Sequence, residues 1–536
     1  RRAFLFTDIE GRHGDAVVSG HGIFDQETDP GLLAVEMELL DVPIDSDLRR
    51  ATTVANPHLE TVWTDYGLTG TVDVDRAEVG WVPGGKPVVS LFGMQWKNGR
   101  MKPKALPFSW ENVAGALEWS DRRLTIHSLH GWHGETYMNV VGGAQGKSAY
   151  IETEVAPGQP WHLHLGQLQV IKVQANEELQ RALPESVAKV LKSFAVQGPV
   201  NIELGLDMKG WDTPGLVTAQ WESLIRLQQN DLVAGVDLQD VSGTVRLVDG
   251  QWNGSRVMVD GYLELDSVTL FDLPLTGVKG PFRVDGEEIL LGSKGQGEES
   301  EFHERNVYRN RRMAADLFDG RVGMLALILL DTEDESQTQY RVDVKVENAE
   351  LGEWAKSRRL QRERLSGKVN GEVTMTGMGT SATNTLGEGW VQITPAQLYE
   401  LPVFAQIFAF INFRQPDDTA FNYAFGEFGI HDGLIDFGNI ELVGDTLKLK
   451  GRGVVGYAGP QQSNLALDFY TKATNRVPIL RPLIEKFGSN WVRIQVVGTV
   501  NSPIPLVQPR IPLLDDAFQG FMQAVDNGQR RPVPRP

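Results

Sequence analysis

The chain has 536 residues, of which 41% are hydrophobic, 57 are glycine and 27 are proline, and its formal net charge is −19. This composition is typical of a folded, turn-rich β protein. The negative charge excludes nucleic acid as an expected partner and provides no polybasic patch for an anionic membrane surface, because both contacts need clustered Lys and Arg. The chain has no cysteine, which excludes disulfides, thiolate metal sites and cysteine nucleophiles.

The first predicted segment, residues 1–174, is a β-sheet that consists of strands and turns throughout. Apolar residues alternate with a period close to two in runs such as 32–39 and 68–75. The sequence begins at Arg1, without a methionine, and enters a strand pattern at once. We therefore expect a fragment that has lost an N-terminal signal or membrane anchor.

The second predicted segment, residues 175–198, is the clearest helical pattern in the sequence. Asn176 can cap the helix, and Val187, Leu191 and Phe194 fall on one face. We expect this amphipathic helix to pack on a sheet. Three further segments follow: a middle β-sheet over 199–364, a C-terminal β region over 365–512, and a helix with a disordered tail over 513–536.

A short unit recurs along the chain, in which an apolar residue, any residue, a glycine and any residue precede an alternating apolar run. Its glycines are Gly70, Gly115, Gly243, Gly280 and Gly367. The irregular intervals exclude a propeller or solenoid of fixed period. A loose repeat of hairpins predicts a mainly β fold, an elongated and strongly curved antiparallel sheet resembling a taco or groove, with a few amphipathic helices.

The titratable residues give weak signals for chemistry. His127, His130 and His133 lie close together in the sequence, and His162 and His164 follow, but no acidic partner on another strand stands out. A Gly-x-Ser-x-Gly elbow, a P-loop and a dinucleotide fingerprint are all missing from the sequence. We therefore predict no catalytic residue, no metal, no cofactor and no enzymatic activity.

The alternating apolar positions are the most informative feature, because few helices are predicted to cover so long a sheet. Such a face either closes into an ordinary core or encloses an apolar guest. About five strand residues, at roughly 3.3 Å each, match the roughly 15 Å hydrocarbon depth of one leaflet. The residues predicted to line a lipid groove are Val342, Val344, Val346, Val373, Met375, Ile440, Leu442, Leu447, Leu449, Leu465, Leu467 and Phe469.

One apolar block within the C-terminal region has helical spacing. Phe404, Ile407, Phe408 and Ile411 lie on one predicted helix face. The functional interpretation of this face is a lid or plug on the groove, or a helix that touches a membrane. The structural interpretation is a core helix that packs across the end of the sheet.

The stretch 365–505 resembles the C-terminal region of the AsmA-like family of bacterial envelope proteins. The similar parts are the opening Gly-Lys-Val at 367–369, Leu-Pro-Val-Phe at 401–404 and His-Asp-Gly-Leu-Ile at 431–435. They continue with Leu-Lys-Gly-Arg-Gly at 449–453 and Gly-Thr-Val-Asn-Ser-Pro at 498–503. Together these motifs cover about a quarter of the chain.

The resemblance implies a function in the envelope of a double-membraned bacterium. AsmA-like proteins are similar to bridge-like lipid transfer proteins, with an N-terminal inner-membrane anchor and a periplasmic β groove. The implied partners are phospholipid or another acyl lipid, the inner membrane through the missing anchor, and envelope proteins. Phospholipid transfer that maintains the outer membrane is the expected function. The alternatives are a scaffold protein with a closed β core and a polysaccharide-acting β protein.

Overall fold

The structure is a computed structural model, and it confirms the predicted mainly β fold with few helices, at 71% strand and 12% helix. It describes residues 3–26, 31–104, 108–142, 147–153, 159–183, 185–211, 217–233, 237–270, 272–292, 312–331, 334–357, 365–379, 381–398, 401, 403, 406, 421–444, 448–472 and 491–509. The predicted elongation and curvature stay predictions.

The chain divides into two compact units, Arg1–Met313 and Ala314–Pro536. The predicted segment boundaries near 174, 198 and 364 followed changes of sequence pattern and fall within these units. The strands of the first unit are β1 Ala3–His13, β2 Ala16–Asp25, β3 Leu32–Pro43, β4 Thr69–Trp81, β5 Val88–Met101, β6 Trp110–Ser120, β7 Arg123–His133, β8 Thr136–Val141, β9 Ala149–Thr153, β10 Pro160–Gln174, β11 Pro199–Trp211, β12 Thr218–Val233, β13 Asp237–Trp252, β14 Val257–Leu270, β15 Leu273–Asp285 and β16 Glu288–Leu291. Its helices are α1 Ser46–Ala55, α2 Leu59–Tyr66, α3 Glu177–Ala182 and α4 Glu185–Phe194.

The second unit continues the antiparallel pattern, with the short α-helix Leu351–Ser357 between two of its strands. Each strand from β18 to β27 pairs with the next along the chain. Its elements are β17 Met313–Leu317 (from its second residue), β18 Gly320–Leu329, β19 Gln339–Glu350, α5 Leu351–Ser357, β20 Ser366–Met378, β21 Leu386–Gln397, β22 Tyr423–His431, β23 Leu434–Val443, β24 Lys448–Gly456, β25 Asn464–Lys472, β26 Trp491–Thr499 and β27 Ser502–Pro509.

The prediction of strands and turns throughout residues 1 to about 170 is wrong for 46–66, where α1 and α2 form. Asp45 caps α1, because its side chain accepts hydrogen bonds from the backbone N–H groups of Asp47 and Leu48. In α2, Leu59, Trp63 and Tyr66 have helical spacing, and Gly67 ends the helix in the left-handed conformation. These cap and spacing signals were present in the sequence.

The predicted helix at 175–198 forms as α3 and α4. The Asn176 side chain accepts a hydrogen bond from the Leu179 N–H, which confirms the predicted cap. Leu179 packs against both hydrophobic clusters of the first unit, one around Val113 and one around Val241. The helix therefore packs on the sheet, as the sequence predicts.

β-bulges recur where strands change register, and five of them share one hydrogen-bonding arrangement. At each of the five, a non-glycine residue with positive φ donates its backbone N–H to a side-chain oxygen of a neighbouring strand. A bulge locally increases strand twist, so the sheet bends there. The side-chain oxygen accepts a hydrogen bond from the backbone N–H group that has lost its partner on the next strand. The donor and acceptor pairs are Asp41 with Asp73, Lys172 with Asn201, Gln229 with Ser242, Asp240 with Asp231, and Asn348 with Asn370.

Three glycines of the recurrent sequence unit, Gly70, Gly243 and Gly367, lie at register shifts, and Gly243 shows why a glycine is needed. Its φ is +132°, and a Cβ atom there would lie 2.5 Å from Leu265 Cα and 2.6 Å from the Glu264 carbonyl oxygen. Neither atom can move without breaking the pairing of β13 with β14. The repeat therefore marks positions where two strands approach closely.

Gly243→Ala is expected to lower the free energy of unfolding by about 2–3 kcal/mol, because backbone strain and a backbone clash add together. Gly14→Ala is the matched control, since Gly14 also has positive φ but a Cβ atom there would contact nothing within 4 Å. Urea denaturation measures both. Equal losses for the two variants would contradict the close approach at Gly243.

Among the described residues, no helix has both the length and the apolar character needed to cross a membrane.

Candidate functional site

The residues predicted to line a groove in the second unit lie on one face of its sheet, apart from Leu447, which is outside the described residues. Strand register places them in rows that run across β18 to β27. One row contains Met324, Val344, Val373, Gly389, Phe428, Phe437, Gly453, Leu467, Val496 and Pro505. A second contains Val322, Val346, Gly371, Val391, Gly426, Ile440, Gly451, Phe469, Ile494 and Val507.

A third row flanks these two, and a shorter one adds the remaining predicted positions. The third contains Ala326, Val342, Met375, Gly387, Ile430, Ile435, Val455, Leu465, Gly498 and Pro503. The shorter one contains Val369, Ile393, Ala424, Leu442 and Leu449. Every position in these rows is apolar, glycine or proline, and we call this surface the apolar face.

The apolar face is covered to different degrees along its length. On β19 and β20, Val342, Val344, Val346, Val373 and Met375 are only partly buried. On β25 and β26 the apolar side chains of these rows are buried, as is Leu449 of β24, whereas Val455 of β24 is partly buried. The buried predicted residues are Leu442, Leu449, Leu465, Leu467 and Phe469, with exposed fractions between 1% and 7%.

The closed end is a packed core. Ala355 of α5 joins it, as do Leu398 and Phe421, and the half-buried Leu401 and Val403 pack against it. The sequence-based prediction assigned all of these strands to one groove, but Ala355 of α5, Leu398, Leu401, Val403 and Phe421 pack against the buried side chains of β24 to β26. The predicted lid or plug residues Phe404, Ile407, Phe408 and Ile411 lie outside the described residues.

The first unit has an apolar face of its own, which the sequence analysis did not assign to a site. One row runs across β7, β8 and β10 to β15 and contains Gly131, Met138, Val170, Ile202, Ile225, Val245, Leu263 and Gly280. Val170, Ile202, Ile225, Val245 and Leu263 are partly buried. The sequence shows alternating apolar residues in these strands, but it does not show the register in which the strands pair.

Ser223 interrupts the apolar face of the first unit, where it lies between Leu204 and Leu247 on the adjacent strands. It is 7% exposed, and its hydroxyl has no hydrogen-bond partner among the described residues. Because an unpaired buried hydroxyl costs free energy, Ser223→Ala is expected to raise the free energy of unfolding by about 1 kcal/mol. Urea denaturation checks this, and a loss of stability would mean that the hydroxyl has a partner.

The opposite, polar face of β20 to β23 carries a depression of about 570 Å³. Trp390 lies in it between Glu372 and Glu427, its register partners on the adjacent strands. The Trp390 ring stacks on Phe425 at 6.4 Å between ring centroids. This arrangement puts a partly buried aromatic ring beside two carboxylates, residue types that can stack on a sugar ring and accept hydrogen bonds from its hydroxyls.

The histidines noted in the sequence separate into different environments. His133 contacts Ser109 and Glu178, and His127 pairs with Glu118 at 3.5 Å. His162 and His164, by contrast, converge on Asp207 of β11. This acidic partner was not predicted from the sequence, because Asp207 is 43 residues from His164 and meets it only through the pairing of β10 with β11.

The Asp207 carboxylate has a shifted pKa. Burial alone raises the pKa, but the hydrogen bonds from His162 and His164 and the positive charge of Lys209 outweigh burial, so the pKa of Asp207 is lowered. Asp207 is therefore ionised at neutral pH and presents a negatively charged oxygen to the two imidazoles beside it.

Comparison of the chain with known proteins finds no matching family model, no similar curated protein and no similar solved structure. The resemblance of the stretch 365–505 to the AsmA-like family stays a prediction from the sequence motifs.

Proposed function

We propose that the protein binds acyl lipid on its apolar sheet face and shields the hydrocarbon chains from water. The observation that carries this proposal is the partly open part of the apolar face on β18 to β22. There the rows contain only apolar residues and glycine, and the side chains of Val344, Val373 and Phe428 retain part of their solvent exposure. Apolar side chains that stay accessible together on one face are characteristic of an interaction site.

Burial of hydrocarbon can supply the binding free energy without a specific polar contact. Each shielded methylene contributes about 0.8 kcal/mol, so about ten methylenes laid along the strands would contribute roughly 8 kcal/mol before the entropic cost of binding. The rows of the apolar face run across the strands, parallel to one another, and neighbouring rows are two strand residues apart, roughly 6.6 Å. A linear hydrocarbon fits such a surface better than a compact polar ligand does.

The cellular part of the proposal rests on the AsmA-like motifs. We propose a periplasmic protein of a double-membraned bacterium, anchored to the inner membrane, that transfers phospholipid in support of the outer membrane. Envelope proteins would be its partners, and no enzymatic step is required. The net charge of −19 is consistent with a membrane contact that is hydrophobic or anchored rather than electrostatic.

The test is equilibrium binding of a phospholipid that carries a fluorescent acyl chain. We expect saturable binding, with enhanced fluorescence from the apolar environment and competition by unlabelled phospholipid. The soluble headgroup glycerophosphoethanolamine, which lacks acyl chains, serves as the control and should not compete. A folded protein that shows no saturable binding would favour the scaffold alternative, in which the apolar face is closed throughout.

The depression around Trp390 supports a second candidate, a surface that binds polysaccharide. Trp390 is partly buried and supplies a ring for stacking, while Glu372 and Glu427 are exposed hydrogen-bond acceptors beside it. Sedimentation with an insoluble glycan tests this candidate. Binding that Trp390→Ala removes would support it, and an unchanged bound fraction would exclude it.

A further inference from the structure

Three side chains from two adjacent strands of the first unit direct their ligand atoms at one point. His162 and His164 are two residues apart on β10 and so share the polar face, and Asp207 of β11 is the register partner of His164. The Asp207 Oδ2 atom lies 2.7 Å from His162 Nε2 and 3.1 Å from His164 Nδ1. All three ligand atoms lie within 4.8 Å of one another.

Neighbouring groups hold these side chains in position. Tyr150 stacks on the His164 ring, with 5.1 Å between centroids and an interplanar angle of 27°. The Arg123 guanidinium lies 4.4 Å from the centre of the Tyr150 ring, and its Nε donates to Glu152 at 2.8 Å. The rings are therefore fixed by packing on the adjacent strands before any ligand binds.

The second ring nitrogen of His162 has its own carboxylate. Glu152 of β9 is the register partner of His162, and its Oε2 atom lies 3.8 Å from His162 Nδ1. The carboxylate faces Nδ1, so a proton on Nδ1 would point toward it and Nε2 would be left as the metal ligand, as where an outer carboxylate orients a ligating imidazole. Lys209 lies 3.5 Å from the other oxygen of Asp207, Oδ1, which leaves Oδ2 for the two imidazoles.

We propose that His162, His164 and Asp207 bind a divalent transition metal, with Zn²⁺ as the best match, and that Glu152 positions His162. Two imidazole nitrogens and one carboxylate oxygen form the type of three-residue ligand set that zinc accepts with a fourth position open to water. With metal–ligand bonds of about 2.0–2.1 Å, tetrahedral geometry puts ligand atoms about 3.3 Å apart, close to the separations from Oδ2. Mg²⁺ and Ca²⁺ fit poorly, because they prefer oxygen ligands.

A simple ion pair uses the same contacts differently. In an ion pair, His162 Nε2 and His164 Nδ1 each carry a proton that points at Oδ2. A bound metal takes the place of those protons, and the same two nitrogens then donate their lone pairs to it. The two arrangements compete for the same atoms, so bound metal must be displaced by protons as the pH falls. The site is separate from the apolar face of the first unit, since Leu163 between the two histidines and Leu165 after them point to the other side of the sheet.

The test is titration of the whole chain with Co²⁺, followed by visible absorption, and with Zn²⁺, followed by calorimetry. We expect one high-affinity site per chain, a d–d absorption band typical of low coordination number, and displacement of Co²⁺ by Zn²⁺. His162→Gln and His164→Gln are each expected to weaken Zn²⁺ binding at least 100-fold, and Glu152→Gln about 10-fold. Circular dichroism checks that the variants are folded.

His127→Gln is the matched control, because His127 is a strand histidine paired with Glu118 in the same unit and lies outside the cluster. It should leave the affinity unchanged. His13→Gln serves as a second control, since His13, Asp45 and Asp47 form an exposed group that could hold a metal ion. Absence of the cobalt band in the folded wild-type protein would overturn the proposal, as would full retention of binding in a folded His162→Gln variant.

Discussion

Replacing Val344 and Val373 by aspartate is expected to weaken binding of a fluorescent phospholipid at least 10-fold while the protein stays folded. The two residues are register partners on β19 and β20, and both are partly buried on the open part of the apolar face. Losing the contacts of two or three methylenes costs about 2 kcal/mol, and a nearby carboxylate repels hydrocarbon further. Since about 1.4 kcal/mol is tenfold in affinity, the loss is readily measured.

Thr376→Asp is the control for this variant. Thr376 is exposed, two residues beyond Thr374 on the polar face of β20, and its register partner is Arg341. The new carboxylate therefore lies in water beside a guanidinium and away from the apolar face. Equal weakening by Thr376→Asp and by the double variant would contradict binding on the apolar face. Unchanged binding by the folded double variant would also contradict it.

Phe469→Ala is expected to lower the free energy of unfolding of the second unit by about 3–5 kcal/mol, which is typical of a large buried side chain. Phe469 is 1% exposed, and its ring lies over Gly451, where an added Cβ atom would come within 2.5 Å of it. Truncating it leaves a cavity that Leu449 and Ile494, also buried in this core, cannot fill. Urea denaturation followed by far-UV circular dichroism measures the change.

Val344→Ala gives the contrast that separates the closed end from the open part of the apolar face. Because Val344 is partly exposed already, its truncation is expected to cost under about 1 kcal/mol. Comparable losses for the two variants would mean that the apolar face is packed to the same degree along its whole length. The scaffold alternative makes that prediction.

Much of the fold is predictable from local sequence pattern. Alternation over residues such as Val342, Val344 and Val346 predicts both the strand and the face to which each side chain belongs, because the side-chain period of a strand is two. The glycines of the recurrent unit predict irregular pairing, which Gly243 shows directly. The two helices at 46–66 were missed because strand patterns surround them, although Asp45 carried a cap signal.

The candidate sites depend on information that local pattern does not contain. Asp207 meets His164 because β10 pairs with β11 in a particular register, and a shift of one residue would place the carboxylate on the other face. Likewise, nothing in the alternation distinguishes Val344, which stays partly open, from Leu449, which is 2% exposed. That difference arises from α5 and Phe421, which cover one end of the sheet.

Native mass spectrometry with lipid extraction, on protein purified from its own membranes, tests the proposed function most directly. The proposal predicts phospholipid that co-purifies with the chain and is lost from the double Asp variant at Val344 and Val373. A folded, monodisperse protein that is free of lipid would contradict it and would indicate a closed core with a scaffold role.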